Sequence, residues 1–397
     1  MVAGTGDPLM TRYFADFHIH IGRSSGHPVK MAAAPSLTVE RVLTVAREQK
    51  GLDVITIIDA VTRHVLQELL ALAADGRLVP LPGGGLLFEN GLVVLLGSEI
   101  EIAGPEGGAA HFGAWFGQLE AAVDFLDWLA TVQKNPSLSS QRARVAADRL
   151  QAEVAERGGM FIVHHAFTPH KGLYGNCVDR MADMLDPNGV DALELGLSAD
   201  TDMADCLEEL STHTFLTNSD AHSLPKLARE YNVLSLADPS FERIRSALRR
   251  SGDDRITANV GLHVELGKYH RTFCLNCERL WAPGAARCAC GSERSVKGVF
   301  DRLCEIRDWE RPIHPSHRPP YVHQVPLEFI PGLGKVALER LLQAFGSEMA
   351  VLHDATPAAL ADVVGDTLAD KIIRARTGQV EFMAGGGGQY GKPIFSA

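Results

Sequence analysis

Residues 13–21, YFADFHIHI, read as a β-strand that ends in two histidines set one residue apart. Side chains at i and i+2 of a strand leave the same face, so His18 and His20 project together from the end of the run. Outward from it come a helical stretch, LTVERVLTVAREQKG at 37–51, and further short β-rich runs: DVITIIDA at 53–60, VVLLGSEIEI at 93–102, AHFGAWF at 110–116, GMFIVHH at 159–165, VDALELGL at 190–197 and FLTNSDAH at 215–222. Strand–helix alternation sustained over this length predicts an α/β fold, either a barrel or a doubly wound sheet.

Polar residues close these runs. His18, His20, Asp59, Glu99, His111, His165, Glu194, Asp220 and His222 all fall at or near predicted strand ends, where barrel enzymes carry their chemistry. One H-x-H pair is a weak signal, as much structural as functional. Asp220 and His222 repeat its geometry, however, and Glu99, His111, His165 and Glu194 follow separate strands. Unpaired buried ionisable groups are expensive, so such a set predicts a metal centre. Imidazole and carboxylate without cysteine suit Zn, Mn, Fe or Mg, and more than four candidate ligands imply two or three divalent ions. Clustered ions activate water and hold a phosphoryl group, which makes phosphate-ester hydrolysis the expected reaction. The loop FTPHKGLYG at 167–175 offers His170, Lys171 and Tyr174 to the scissile phosphate, with Lys171 as a catalytic candidate; its plain alternative is an ordinary exposed loop.

At 397 residues the chain exceeds one ordinary core, so two or three folding units are expected. A formal charge of -11 excludes a surface coated with nucleic acid and confines any such contact to local patches. No run approaches the roughly 20 apolar residues that span a bilayer, and MVAGTGDPLMTRYF lacks the basic and apolar regions of a signal peptide. A cytoplasmic, nucleoid-associated protein without a membrane partner is expected. Four of the seven cysteines lie between Cys274 and Cys290, which fits a metal site in a reducing compartment. Cys274-x2-Cys277 and Cys288-x-Cys290 supply four thiolates for one structural Zn with no open position, while Cys177, Cys206 and Cys304 read as isolated buried thiols.

Three units are expected, at 1–260, 261–325 and 326–397. Residues 241–257, FERIRSALRRSGDDRIT, read as a basic helix and a turn, and residues 268–318 hold ten Lys/Arg against six Asp/Glu. The proline-rich RPIHPSHRPPYVHQVP at 311–326 reads as a linker. EFIPGLGKVALERLLQAFGS at 328–347 then has the form helix, Gly-x-Gly turn, helix. Gly332 and Gly334 permit the tight turn, and backbone N–H groups at the second helix, which opens with Lys335, can bind a phosphate without a large basic surface. A weaker copy surrounds Gly365; a hairpin used only for dimerisation is the alternative. In GGGGQYGKP at 385–393, Pro393 replaces the Ser/Thr of a phosphate-binding loop, so no nucleotide triphosphate partner is expected. That segment reads as a flexible tail, or as a loop closing over DNA backbone or an extruded base.

The pieces DFHIH, IIDA, GSEIEI, AHFGAW, IVHHAF, LELG and NSDAH, in this order over about residues 12–225, resemble the polymerase and histidinol phosphatase (PHP) superfamily. The resemblance implies a distorted seven-stranded (β/α) barrel binding up to three metals, with His18, His20, Glu99, His111, His165, Asp220 and His222 as ligands and Asp59 and Glu194 beside them. Ala60 stands where that family usually has a histidine, so Asp59 either ligates alone or hydrogen-bonds a ligating histidine. The family histidine sits at the very end of its strand, which favours His165 over His164. PHP barrel, small zinc-knuckle domain and all-α helix-hairpin-helix domain together resemble the endonuclease Q family over nearly the whole chain. That resemblance implies a DNA-repair nuclease cutting 5′ to deaminated bases (uracil, hypoxanthine, xanthine) and at abasic sites. Its partners would be double-stranded DNA with a damaged base and a candidate replication clamp. A small-molecule phosphatase resembling histidinol-phosphate phosphatase would not need residues 261–397, and a non-catalytic DNA-binding repair scaffold would not need the ligands.

Overall fold

The computed structural model describes residues 10–282 and 284–395; residues 1–9, which carry most of the segment read above as free of a signal peptide, lie outside the described residues. Seven strands surround the inner core: β1 (Thr11–Ile19), β2 (Val54–Ile57), β3 (Val93–Ala103), β4 (Ala109–Phe116), β5 (Met160–Val163), β6 (Ala192–Glu194) and β7 (Phe215–Leu216). They lie in the order β7-β6-β5-β4-β3-β2-β1. All neighbours are parallel except at β4, which runs against both β3 and β5. A parallel bridge between Ile19 and Ala221, just past β7, brings the two edges together. There the His20 N–H donates to the Ala221 carbonyl and the Ala221 N–H to the His18 carbonyl, each at 3.2 Å.

The first half of β1 also pairs antiparallel with β8 (Tyr231–Leu236), and β9 (Arg255–Gly261) and β10 (Tyr321–His323) extend the sheet from there. The outer face is covered by α1 (Val39–Val45), α2 (Arg63–Ala74), α3 (Leu119–Val132) and α4 (Ala147–Glu156). Each presents an apolar stripe; α2 buries Val65, Leu66, Leu69 and Leu72, the spacing of one helix face. The basic segment after β8 is helical as expected, α5 (Phe241–Arg249), with Phe241, Ile244, Ala247 and Leu248 buried.

The proline-rich stretch is a fixed strap. Tyr321–His323 is the edge strand β10, a place where nearby prolines are tolerated because no ladder bond is lost. The Arg318 side chain is buried: its Nη2 lies 2.7 Å from Asp205 Oδ1 and its guanidinium 3.5 Å from the centre of the Phe215 ring. After the strap come a single 3-10 turn, Leu327–Phe329, and the helices α7 (Lys335–Phe345), α8 (Glu348–His353), α9 (Pro357–Val364) and α10 (Asp366–Arg376), with α6 (Val299–Ile306) before the strap. The expected helix ahead of the first glycine turn is therefore only that 3-10 turn. This helical group docks on the barrel through a buried Lys50–Glu348 pair at 2.9 Å and through His353, whose Nε2 lies 2.6 Å from the Tyr231 hydroxyl and whose ring packs on Phe14.

Glu230, immediately before β8, is fully buried, and only its Oε1 takes a hydrogen bond, from the Leu262 N–H at 2.8 Å. Burial pushes its carboxyl up to about 8, outweighing that N–H and the nearby Arg229. The unfolded carboxyl titrates near 4.5, so the native state holds a proton that the unfolded state has lost. Stability is full below that unfolded value and falls as pH rises through the native one. Between pH 6 and 9 the fall should amount to about 3 kcal/mol. Glu230→Gln is expected to flatten the slope in urea melts; a variant as pH-sensitive as the wild type would count against this burial.

Candidate metal centre

The inside of the barrel has two layers. Ala15, Phe17, Leu95, Trp115, Ile162 and Leu216 form an apolar plug, fully buried. Above the plug, at the carboxyl ends of the parallel strands and the amino end of the antiparallel β4, the polar groups converge. The register of β1 against β2 shifts by one residue between Asp16 and Ile19, a bulge. It lets Phe17 join the plug while the next side chain, His18, joins the polar layer, which strict alternation would forbid.

Two groups of three ligand atoms result. His18 Nε2 lies 3.3 Å from His20 Nε2 and 3.5 Å from Asp220 Oδ1, and His20 Nε2 lies 3.3 Å from Asp220 Oδ1. In the second, Glu99 Oε2 lies 3.2 Å from His111 Nδ1 and 3.5 Å from His165 Nε2, which are 3.3 Å from each other. Ligands about 2.0–2.1 Å from a tetrahedral ion are about 3.3 Å apart, so both triangles fit the edges of a coordination sphere. Glu99 joins them, its Oε2 3.3 Å from His18 Nε2 and its Oε1 3.8 Å from His20 Nε2. His18, Glu99 and His164 make a further combination able to hold an ion.

Asp59 and Glu194, both counted in the candidate set, each stand behind a histidine, which for Asp59 is the second of the two arrangements left open. Asp59 lies 3.1 Å from His20 Nδ1 and takes the Ile21 N–H at 2.7 Å. Glu194 lies 3.0 Å from His18 Nδ1 and takes the His165 N–H at 3.1 Å and Asn218 Nδ2 at 2.7 Å. An acceptor at Nδ1 fixes the tautomer and points the Nε2 lone pair at the cluster. His222 lies at the rim, its ring 4.6 Å from that of His20 and its Nδ1 2.9 Å from the Asp220 carbonyl.

The charges suit a cation. Burial alone would raise the carboxyls, but His111 and Lys30 at Glu99, and His20 and His18 at Asp220, hold both well below the usual range. Glu194 is likewise brought down to about 2 by His18 and His164 against the effect of burial. Burial pushes the His164 and His222 imidazoles down to about 4, which leaves them neutral at neutral pH. His164 Nε2 has no hydrogen-bond partner among the described residues. Gly113 makes room for it: a Cβ there would lie 2.2 Å from that nitrogen.

One charged group at the candidate site was not visible in the sequence. Lys30 reaches in from the loop after β1, and its Nζ donates to Glu99 Oε1 at 3.0 Å; no motif marks it. The expected Lys171 is paired with Glu101 at 2.9 Å and remains partly exposed. His170 is exposed with its ring edge-on to Tyr269. Tyr174 is a correction: it is fully buried, its ring stacks on Phe167, and its hydroxyl donates to Glu209 at 2.8 Å, so it is a core residue.

A cavity of about 460 Å³ opens beside the ligands, walled by Asp220, His222 and Asn218 on one side and by Lys226, Arg229, Lys268, Tyr269 and Tyr390 elsewhere. The four knuckle sulfurs also converge, Cys274 to Cys290 at 3.7 Å and Cys277 to Cys288 at 3.4 Å. That is close to the roughly 3.8 Å edge of a tetrahedron with 2.3 Å Zn–S bonds. At the hairpins, Gly332 has φ +95° and Gly334 caps α7, whose first residue Lys335 holds its side chain out in solvent. Gly365 has φ +81° and caps α10, but that helix opens on Asp366, a charge that disfavours an anion there.

No family model matches the chain. It is 45% identical over 387 residues to the uncharacterized protein YqxK of Bacillus subtilis, across 96% of this chain and 99% of that one. It is 36% identical over 256 residues to the uncharacterized protein MJ0043 of Methanocaldococcus jannaschii, across 59% of this chain and 32% of that one. Among solved structures, the lesion-specific endonuclease PfuEndoQ from Pyrococcus furiosus matches with a TM-score of 0.84 and 31% identity, over 97% of this chain and 96% of that one. Endonuclease Q in complex with a 27-mer duplex substrate carrying an abasic lesion at the active site matches with a TM-score of 0.84 and 30% identity, over 97% of each chain.

Proposed function

The chain belongs to the endonuclease Q family, and from that premise we propose that it is a metal-dependent endonuclease that cuts double-stranded DNA on the 5′ side of deaminated bases and abasic sites. One observation carries the reading: two ligand triangles hinged on Glu99, beside a cavity lined by three cations. An acidic chain with three cations set beside the ligands suits a substrate that is polyanionic and bound locally. The small-molecule phosphatase reading gives no role to the knuckle and the glycine hairpins.

Two or three divalent ions, Zn, Mn or Mg, held by His18, His20, Glu99, His111, His165 and Asp220 would activate water and neutralise phosphoryl charge. The chain's own groups do the rest. Asp59 and Glu194 hold His20 and His18 in one tautomer, and the apolar plug shuts water out from below. Lys226, Arg229 and Lys268 offer the cavity to phosphate. The backbone N–H groups that open α7, with Lys335 beside them, suit the DNA backbone away from the lesion. The cavity beside the ligands has room for a nucleotide turned out of the stack, which costs least at a damaged or mispaired base. A zinc at the four sulfurs would brace the knuckle.

The test is incubation with Mn or Mg and end-labelled duplexes, each holding one uracil, hypoxanthine, xanthine or abasic site, with the cut mapped. A single nick 5′ to the lesion, with the undamaged duplex intact, is expected. Cutting on the 3′ side, or equally in undamaged DNA, would sink the reading.

A further inference from the structure

The glycine-rich tail is docked. The Gly385 N–H donates to the Glu265 carbonyl at 2.7 Å and the Gly391 N–H to the Leu266 carbonyl at 3.0 Å. Gly386 and Gly387 lie flat on the knuckle: a Cβ at 386 would come within 2.7 Å of Leu280, and one at 387 within 2.4 Å of the Phe273 ring. At 387, where φ is +62°, only glycine fits so close an approach.

This docking sets Tyr390 in the wall of the cavity. Its ring centre lies 4.6 Å from Lys268 Nζ, 5.5 Å from Lys226 Nζ and 5.5 Å from the Arg229 guanidinium carbon. Three cations around one point repel one another, and the negative face of the ring offsets that repulsion. The three differ in what else they hold. Lys226 is paired with Glu328 at 2.7 Å. Arg229 donates to the Ser219 carbonyl at 2.7 Å and to the Tyr390 hydroxyl. Lys268 Nζ makes no hydrogen bond or ion pair among the described residues; it lies against the Tyr390 ring and is drawn only by the charge of Asp220. Burial, Arg229 and Lys226 hold its ammonium below the usual lysine range, a cost that an arriving anion would relieve.

Resting on the nuclease reading above, we infer that Lys268 contacts a phosphodiester of the lesion strand next to the one that is cut, and that Tyr390 is the positioning residue that holds Lys268 there. An ammonium without a hydrogen bond or ion pair, facing a cavity beside the ligand cluster, calls for a ligand with a negative charge, and the strand brings one at every nucleotide. The contact lies inside the cavity, so it forms only when a lesion lets the strand enter.

The test is equilibrium binding by the full chain without added divalent metal, followed by fluorescence anisotropy across a salt series. An abasic-site duplex is compared with its undamaged counterpart. For the lesion duplex, Lys268→Met should reduce the slope of log affinity against log salt by about one and weaken binding about tenfold at low salt. The undamaged duplex should keep its slope. Tyr390→Leu should reproduce the loss, and Tyr390→Phe, which keeps the ring, should retain the wild-type slope. An unchanged slope for Lys268→Met, an equal loss on both duplexes, or Tyr390→Phe behaving as Tyr390→Leu would overturn the assignment. A wild-type protein that does not favour the lesion duplex at all would instead overturn the nuclease reading beneath it.

Discussion

Glu99→Gln is expected to lower lesion-directed nicking by more than about 10³-fold while leaving the barrel folded. The amide keeps the shape of the side chain but removes the carboxylate of the second triangle, which also lies 3.3 Å from His18 of the first. Around that point stand His18, His20, His111, His164 and His165, with Lys30 3.0 Å away. Without Glu99 the second triangle is left with imidazoles alone and the Lys30 ammonium close by, a setting that holds a divalent ion poorly. The loss should therefore appear first as metal content, measured by elemental analysis after dialysis, and then as lost nicking. The Lys30 ion pair also goes, so a thermal melt belongs beside the assay. Asp220→Asn, at the more accessible rim of the first triangle, provides a variant less exposed to folding effects. Wild-type nicking by both variants would mean that the triangles do not form the reacting centre.

The residues that build this site were legible to different degrees, for physical reasons. Period-2 alternation and polar residues set in or beside apolar runs revealed the strands and most of the ligand set, since His18, Glu99, His111 and Asp220 have no packing reason to stand there. Sequence could not separate ligands from their supports. Asp59 and Glu194 are chemically the same as Glu99 and Asp220, and only the histidine Nδ1 about 3 Å away turns them into acceptors that aim a ring. The bulge in β1 was equally hidden, because one extra residue in a register leaves no trace in composition. Tyr174 misled because glycine neighbours and a polar tip suggest an exposed loop, yet its hydroxyl finds Glu209 inside the core. The proline-rich strap misled in the same way: its composition speaks for a linker, while Arg318 on Asp205 and Phe215 ties it down.

The knuckle carries the second large effect, and its reach extends beyond itself. Structural zinc in small domains contributes on the order of 10–16 kcal/mol of folding free energy, far more than the two short strands Phe273–Cys274 and Ser295–Val296 can supply alone. Cys277→Ser with Cys288→Ser removes one sulfur from each side of the tetrahedron, so the paired variant should lose one bound zinc per chain and become open to protease between Cys274 and Cys290. Phe273 and Leu280 are also the floor on which Gly386 and Gly387 lie. When that floor loosens, the tail loses its seat, Tyr390 leaves the cavity wall, and Lys268 and Arg229 lose the ring between them. Lesion nicking should then fall about 100-fold, a size typical of losing the support behind a reacting group, although no knuckle residue touches the ligand triangles. Binding to undamaged duplex should change little, since the N–H groups of α7 sit on a separate helical group docked through Lys50–Glu348. Zinc loss with undiminished nicking would show that the tail holds its place without the knuckle.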